Sequence, residues 1–121
     1  MKVAISSTGE TFQHQLDPRF GRAAGFIVFD TETGHSEYID NLGNQQASKG
    51  AGIHAAQNVV RAGAEAIISG HIGPKAYAAL ESGNVKVFQS EVKNIQDVIE
   101  DFRQGHLTQV DSPDRPGHWE G

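Results

Sequence analysis

The chain has 121 residues, no cysteine, and fifteen Asp and Glu against ten Lys and Arg, for a net charge of −5. That length fits one domain with one core, and the missing thiols exclude a disulfide scaffold, a thiolate-held iron–sulfur cluster and a cysteine nucleophile. The acidic balance argues against a general nucleic-acid binder, which carries a basic surface.

Met1-Lys2-Val3-Ala4-Ile5 reads as a first strand. Its apolar run is too short for a signal peptide, and no later run could span a membrane, so a cytoplasmic protein without membrane contact is expected. Residues 6–22 show neither a helical nor a strand period and contain two Gly and a Pro. They read as a long loop, and long loops in compact domains often carry function. Phe26-Ile27-Val28-Phe29, the turn Thr31–Gly34 and Ser36-Glu37-Tyr38-Ile39 form a hairpin pattern. Residues 40–50 are polar and read as a connection.

Helix and strand then alternate. Ile53, Ala56, Val59 and Val60 share a helical face, and Gly63 stands where that helix ends. Ala66-Ile67-Ile68 is a buried-strand pattern. Pro74 suits a first helical position, Ala76, Tyr77 and Leu80 make its apolar stripe, and Gly83 closes it. Val85–Phe88 reads as the last strand. Asn94 is a good N-cap with Asp97 near the positive end of the helix dipole, and Ile95, Val98, Ile99 and Phe102 keep helical spacing up to Gly105. The order predicts an α/β fold over residues 1–105, a mixed five-stranded sheet flanked by about three helices. Residues 106–121, with two Pro, two Gly and Trp119, read as a flexible C-terminal tail.

Two glycine turns precede helices: Lys49-Gly50-Ala51-Gly52 and Ser69-Gly70-His71-Ile72-Gly73-Pro74-Lys75. A helix start exposes unpaired N–H groups at the positive end of a dipole, which favours an anion. Gly50, Gly52, Gly70 and Gly73 would let a ligand approach the backbone, and Lys49 and Lys75 would add charge. The other reading is two ordinary strand-to-helix turns. Neither turn has the spacing of a phosphate-binding P-loop or a dinucleotide fingerprint, so no nucleotide is expected. Arg19 and Arg22 stand three apart in the loop Asp17-Pro18-Arg19-Phe20-Gly21-Arg22. Their forks of donors suit an oxyanion or thioanion, or one of them pairs with Asp17 instead. Phe20 reads as a loop anchor packed into the core. The six histidines are scattered without metal-site spacing, but His54 and His71 each sit beside a glycine turn. Ser6, Ser7 and Ser69 lack a nucleophile context, so no catalytic residue is assigned and binding without turnover is expected.

Asp17–Ala23 followed by Phe26–Asp30, then Gly50-Ala51-Gly52-Ile53-His54, then Ile67–Ala76 through Leu80 to Val87, resemble in order the blocks of the dinitrogenase iron–molybdenum cofactor biosynthesis family. The resemblance covers roughly residues 1–105 and implies a ribonuclease H-like fold without nuclease activity. Among stand-alone members the chain is similar to the orange-type proteins of sulfate-reducing bacteria, which are understood to hold a molybdenum–copper sulfide cluster without covalent ligation. Arg19 stands where the nitrogenase carriers often place His, which favours electrostatic capture over ligation. The resemblance therefore implies a cluster held by Arg19, Phe20, Gly21, Arg22, Lys49, Gly50, Gly52, His54, Ser69, Gly70, His71, Gly73 and Lys75, with His54 and His71 as candidate copper ligands. It also implies a MinD-type P-loop ATPase as a protein partner. The alternative function is a metal-free module regulating such an ATPase. A monomer or weak dimer is expected.

Overall fold

The structure is a computed structural model and describes residues 1–45 and 50–111. Six strands form one sheet: β1 (Lys2–Ser7), β2 (Gly25–Asp30), β3 (Ser36–Asp40), β4 (Ala66–Ser69), β5 (Lys86–Gln89) and β6 (Thr108–Val110). Their order across the sheet is β3-β2-β1-β4-β5-β6. β1 pairs antiparallel with β2 and parallel with β4. β2–β3 is the expected hairpin, β4–β5 is parallel, and β5–β6 is antiparallel. This is the mixed α/β arrangement that the sequence pattern predicts and the ribonuclease H-like fold that the family resemblance implies, with one correction. The sheet has six strands rather than five, and the sixth lies in the stretch assigned to the tail. Tyr77 donates its hydroxyl to the Val110 carbonyl at 3.2 Å and helps to hold that strand. Trp119 and its neighbours lie outside the described residues.

The helices are α1 (Leu42–Gln45, a single turn), α2 (Ala51–Arg61), α3 (Pro74–Ser82) and α4 (Ile95–Arg103). α1 and a 3-10 turn at Phe20–Arg22 fall where only connection and loop were expected. Side chains alternate across the strands, so β1 feeds two cores. Ala4 points with Phe26, Val28, Ile67 and Val87 to one face, against Ala55, Ala56, Val59 and Leu80 of α2 and α3. Val3, Ile5, Ile27 and Ile68 point to the other, against Ile95, Val98 and Ile99 of α4. The Asn94 side chain caps α4, accepting from the Gln96 N–H at 2.9 Å. The result is three layers, with α2 and α3 on one face of the sheet and α4 on the other. α3 follows the carboxyl end of the parallel strand β4, where open α/β sheets collect ligands.

Candidate functional site

The loop 17–23 enters the site through Pro18. Proline disfavours a helical Asp17 and leaves its carboxylate to accept the Arg19 N–H at 2.9 Å, a local turn. The chain then closes the 3-10 turn, with Arg22 N–H donating to the Arg19 carbonyl at 3.3 Å. Phe20 is 2% exposed and its ring packs 5.3 Å from that of Phe26, so it is the core anchor expected of it. Buried Asn41 fastens the turn from the far side, donating Nδ2 to the carbonyls of Gly21 at 3.2 Å and Ala23 at 3.0 Å. On the near side, Phe20 N–H donates to the His71 carbonyl at 3.3 Å.

These contacts bring the Arg loop against the starts of α2 and α3. Arg19, Phe20, Gly21, Arg22, Gly50, Gly52, His71, Gly73 and Lys75 line one open cleft of about 520 Å³, together with Ala51, Ile53, Pro74 and Ala76. All of these positions lie in or next to the two glycine turns and the 3-10 turn. No carboxylate lines the cleft among the described residues. Both helix starts lack a side-chain cap, because Gly50 and Gly73 occupy the N-cap positions. Their first amides therefore have no cap to satisfy them, at the positive ends of two dipoles. Gly50 has φ +73°, a conformation that favours glycine.

The glycines divide into two kinds. A methyl on Gly21 would stand 2.8 Å from the Gly52 nitrogen, one on Gly52 3.1 Å from the Ala76 Cβ, and one on Gly70 2.8 Å from the Pro18 Cα. These three let segments of the protein itself approach one another. This packing accounts for Gly52 and Gly70 without a ligand, although Gly52 still lines the cleft and Gly70 does not. A methyl on Gly73 would meet no atom within 4 Å, so this glycine does face open space.

Other expected residues stand elsewhere. Ser69 is 1% exposed and its hydroxyl hydrogen-bonds that of Ser6, 2.9 Å apart, beneath the cleft, and neither Ser69 nor Gly70 lines it. His54 is exposed on the first turn of α2, beside Gly50 but outside the lining. Lys49 lies outside the described residues. No group of three His, Asp or Glu that could hold a metal ion occurs among the described residues. The sequence reading missed Asn41 and Ser6, whose roles depend on which backbone carbonyls come near. It also missed Ala51, Ile53, Pro74 and Ala76, small or apolar residues without a chemical signature.

Asp17 pairs with Arg19, one of the two outcomes left open by the sequence. Arg19 donates Nε to Oδ1 and Nη2 to Oδ2, both at 3.2 Å. The hydrogen bond to Asp17, then the attraction between the charges, raises the guanidinium pKa above its ordinary value. Arg19 stays charged at any pH of interest.

The molecule is thus a three-layer α/β protein whose cleft combines Arg, Lys and His with two uncapped helix starts. A family model described as dinitrogenase iron-molybdenum cofactor matches residues 1–105, and the chain belongs to that family. It is 38% identical to the apo form of the orange protein (ORP) from Desulfovibrio gigas, with a TM-score of 0.91 over 94% of this chain and 96% of that one. A Thermotoga protein, described as a candidate NifB protein and solved by NMR, is 32% identical with a TM-score of 0.84, over 95% of this chain and 97% of that one. An uncharacterized protein of Methanocaldococcus jannaschii is 30% identical over 110 residues, 88% of this chain and 89% of its own length. No helix among the described residues is long and apolar enough to cross a membrane.

Proposed function

We propose that this protein binds or carries an anionic metallocluster, without enzymatic turnover, and that the cluster is a molybdenum–copper sulfide. One observation carries the reading: the cleft joins Arg19, Arg22, His71 and Lys75 to the starts of α2 and α3, with no carboxylate in its lining among the described residues. The donor set fits that cargo. There is no thiolate to ligate a metal, whereas N–H groups, guanidinium and ammonium suit the terminal sulfur or oxygen atoms of a preformed anion. Gly73 leaves room at the start of α3. His71, exposed at the cleft, is the residue best placed to donate a hydrogen bond or to meet copper. Membership of the cofactor family and likeness to the orange protein support a metallocluster as the cargo.

The test is to add tetrathiomolybdate and copper to the ligand-free protein and follow visible absorption after desalting. A protein-bound chromophore is expected. Its absence sinks the reading. The combined variant Arg19→Ala/Arg22→Ala should bind less of it, and added salt should weaken binding because screening reduces charge capture.

A metal-free module that regulates a MinD-type ATPase is the second reading, resting on the acidic surface of α4. It has less support. Asp101 is taken up by Lys93 at 2.7 Å, and Glu100 accepts from Gln104 at 3.3 Å. Stoichiometric molybdenum or copper in protein purified without oxygen counts against it.

A further inference from the structure

The Asp17 side chain is 5% exposed, and the Arg19 side chain it holds is 64% exposed. Besides the two bonds to the guanidinium, Asp17 Oδ1 accepts the Arg19 backbone N–H at 2.9 Å. The carboxylate is thus tied to both ends of the same residue. The framework beneath holds Asp17 in turn. Its N–H donates to the Ser6 carbonyl at 2.9 Å, and its carbonyl accepts from the Ser6 hydroxyl at 2.7 Å. Arg19 lines the cleft and Asp17 does not.

A guanidinium carries five N–H donors in one plane. Asp17 engages two of them, which leaves three in a fixed orientation. The same carboxylate offsets one positive charge beside the cleft. If the cleft worked by charge alone, Asp17 would oppose its function. We propose that Asp17 is a positioning residue: it gives up net attraction and in return locks the Arg19 fork, so that an anion meets directed donors rather than a swinging charge. A long side chain already ordered loses less rotamer freedom when a ligand binds. Such a fork selects an anion by the placement of its terminal acceptor atoms. This inference rests on the proposed reading of the cleft as an anion site.

Asp17→Asn separates the two effects by sign. Asn keeps an oxygen for the Arg19 backbone N–H and nearly the same volume, but removes the charge and weakens the fork. Charge alone predicts tighter binding of an anion by this variant; positioning predicts weaker binding. The experiment titrates the wild-type chain, D17N, R19A and D17N/R19A with tetrathiomolybdate, followed by visible absorption. Arginine Nε–H resonances are recorded on the same ligand-free proteins. We expect D17N to bind about tenfold more weakly than wild type, as loss of a charge-assisted, preorganised contact implies. D17N should add nothing in the R19A background. A slowly exchanging Arg19 Nε–H should be present in wild type and lost in D17N.

Equal or tighter binding by D17N overturns the inference alone. So does an equal loss in the R19A background, which would make Asp17 a structural prop that does not act through Arg19. No binding by the wild-type chain overturns the anion reading and this inference with it, whatever the resonances show. Should D17N fail to fold, Arg19→Lys carries the test, since it keeps the charge and loses the fork. About tenfold weaker binding supports positioning, and unchanged binding overturns it.

Discussion

Gly70 lies against Pro18 so closely that a methyl on Gly70 would stand 2.8 Å from the proline Cα and 3.1 Å from its carbonyl oxygen. The turn after β4 and the loop carrying the arginines therefore meet backbone to backbone. That contact, with the neighbouring bridge between Arg19 and His71, sets how far apart the cations of the cleft stand. Gly70→Ala should force the two loops apart and destabilise the fold by about 1–3 kcal/mol, as overpacking does. Urea unfolding measures it, and an unchanged midpoint would show that the loops yield freely.

Gly73→Ala should behave in the opposite way. Its φ of −71° suits any residue, and a methyl there meets no atom within 4 Å. Stability should hold or rise by about 0.4–1 kcal/mol, because the unfolded chain loses freedom. Chromophore binding should nevertheless weaken if the cargo sits over the start of α3. Full binding with unchanged stability would move the cargo elsewhere in the cleft.

Phe20→Ala should cost about 3–5 kcal/mol, the usual range for removing a buried aromatic side chain. Phe20 anchors the arginine loop to the core that α2 and α3 share. Thermal unfolding distinguishes this anchor role from stacking on a ligand, which would reduce binding and leave stability near wild type.

Ser6→Ala should destabilise by about 1–3 kcal/mol, because the buried Asp17 carbonyl loses its hydroxyl donor and Ser69 loses its partner. Anion binding should fall as well, since Asp17 would be less firmly held. Unfolding and titration on the same preparation check both effects.

Asp30 supplies a pH dependence remote from the cleft. The Glu32 backbone N–H at 2.8 Å, followed by that of Thr33 and the nearby amino terminus, holds its carboxyl pKa below the ordinary value. A carboxylate with a depressed folded-state pKa stabilises the fold above its unfolded pKa and loses that contribution as pH falls through the folded one. Stability should therefore drop as pH falls below about 4, the ordinary carboxylate range. In Asp30→Asn that part of the slope should vanish. Urea midpoints of both proteins across acidic pH provide the comparison, and parallel curves would refute it.

Most elements were legible in the chain because their signals are local. Ala66–Ile68 is apolar without interruption, as a strand buried on both faces must be. Asn94 and Pro74 mark helix starts through chemistry confined to one turn. Thr108–Val110 escaped notice because three residues on a sheet edge carry almost no period of their own; pairing with Val87, Phe88 and Gln89 makes them a strand. The single turn α1 escaped for a similar reason, since one turn has no stripe to detect.

The cleft was half legible. Arg19, Arg22, His71 and Lys75 announce themselves by charge and by their glycine neighbours, and the chain alone was enough to nominate them. The roles of the glycines were hidden. Gly52 and Gly70 are small because Ala76 and Pro18 come close, whereas Gly73 opens on space, and one letter in the sequence stands for both conditions. Asp17 was ambiguous in the same way. Its partner was decided by burial: a carboxylate whose side chain is 5% exposed needs donors, and Arg19, two residues on, is the cation its loop presents to it. Local pattern thus fixed the elements and the available charges. Packing of segments distant in the chain fixed their directions and pairings, because the atoms that impose them are neighbours only in the folded protein.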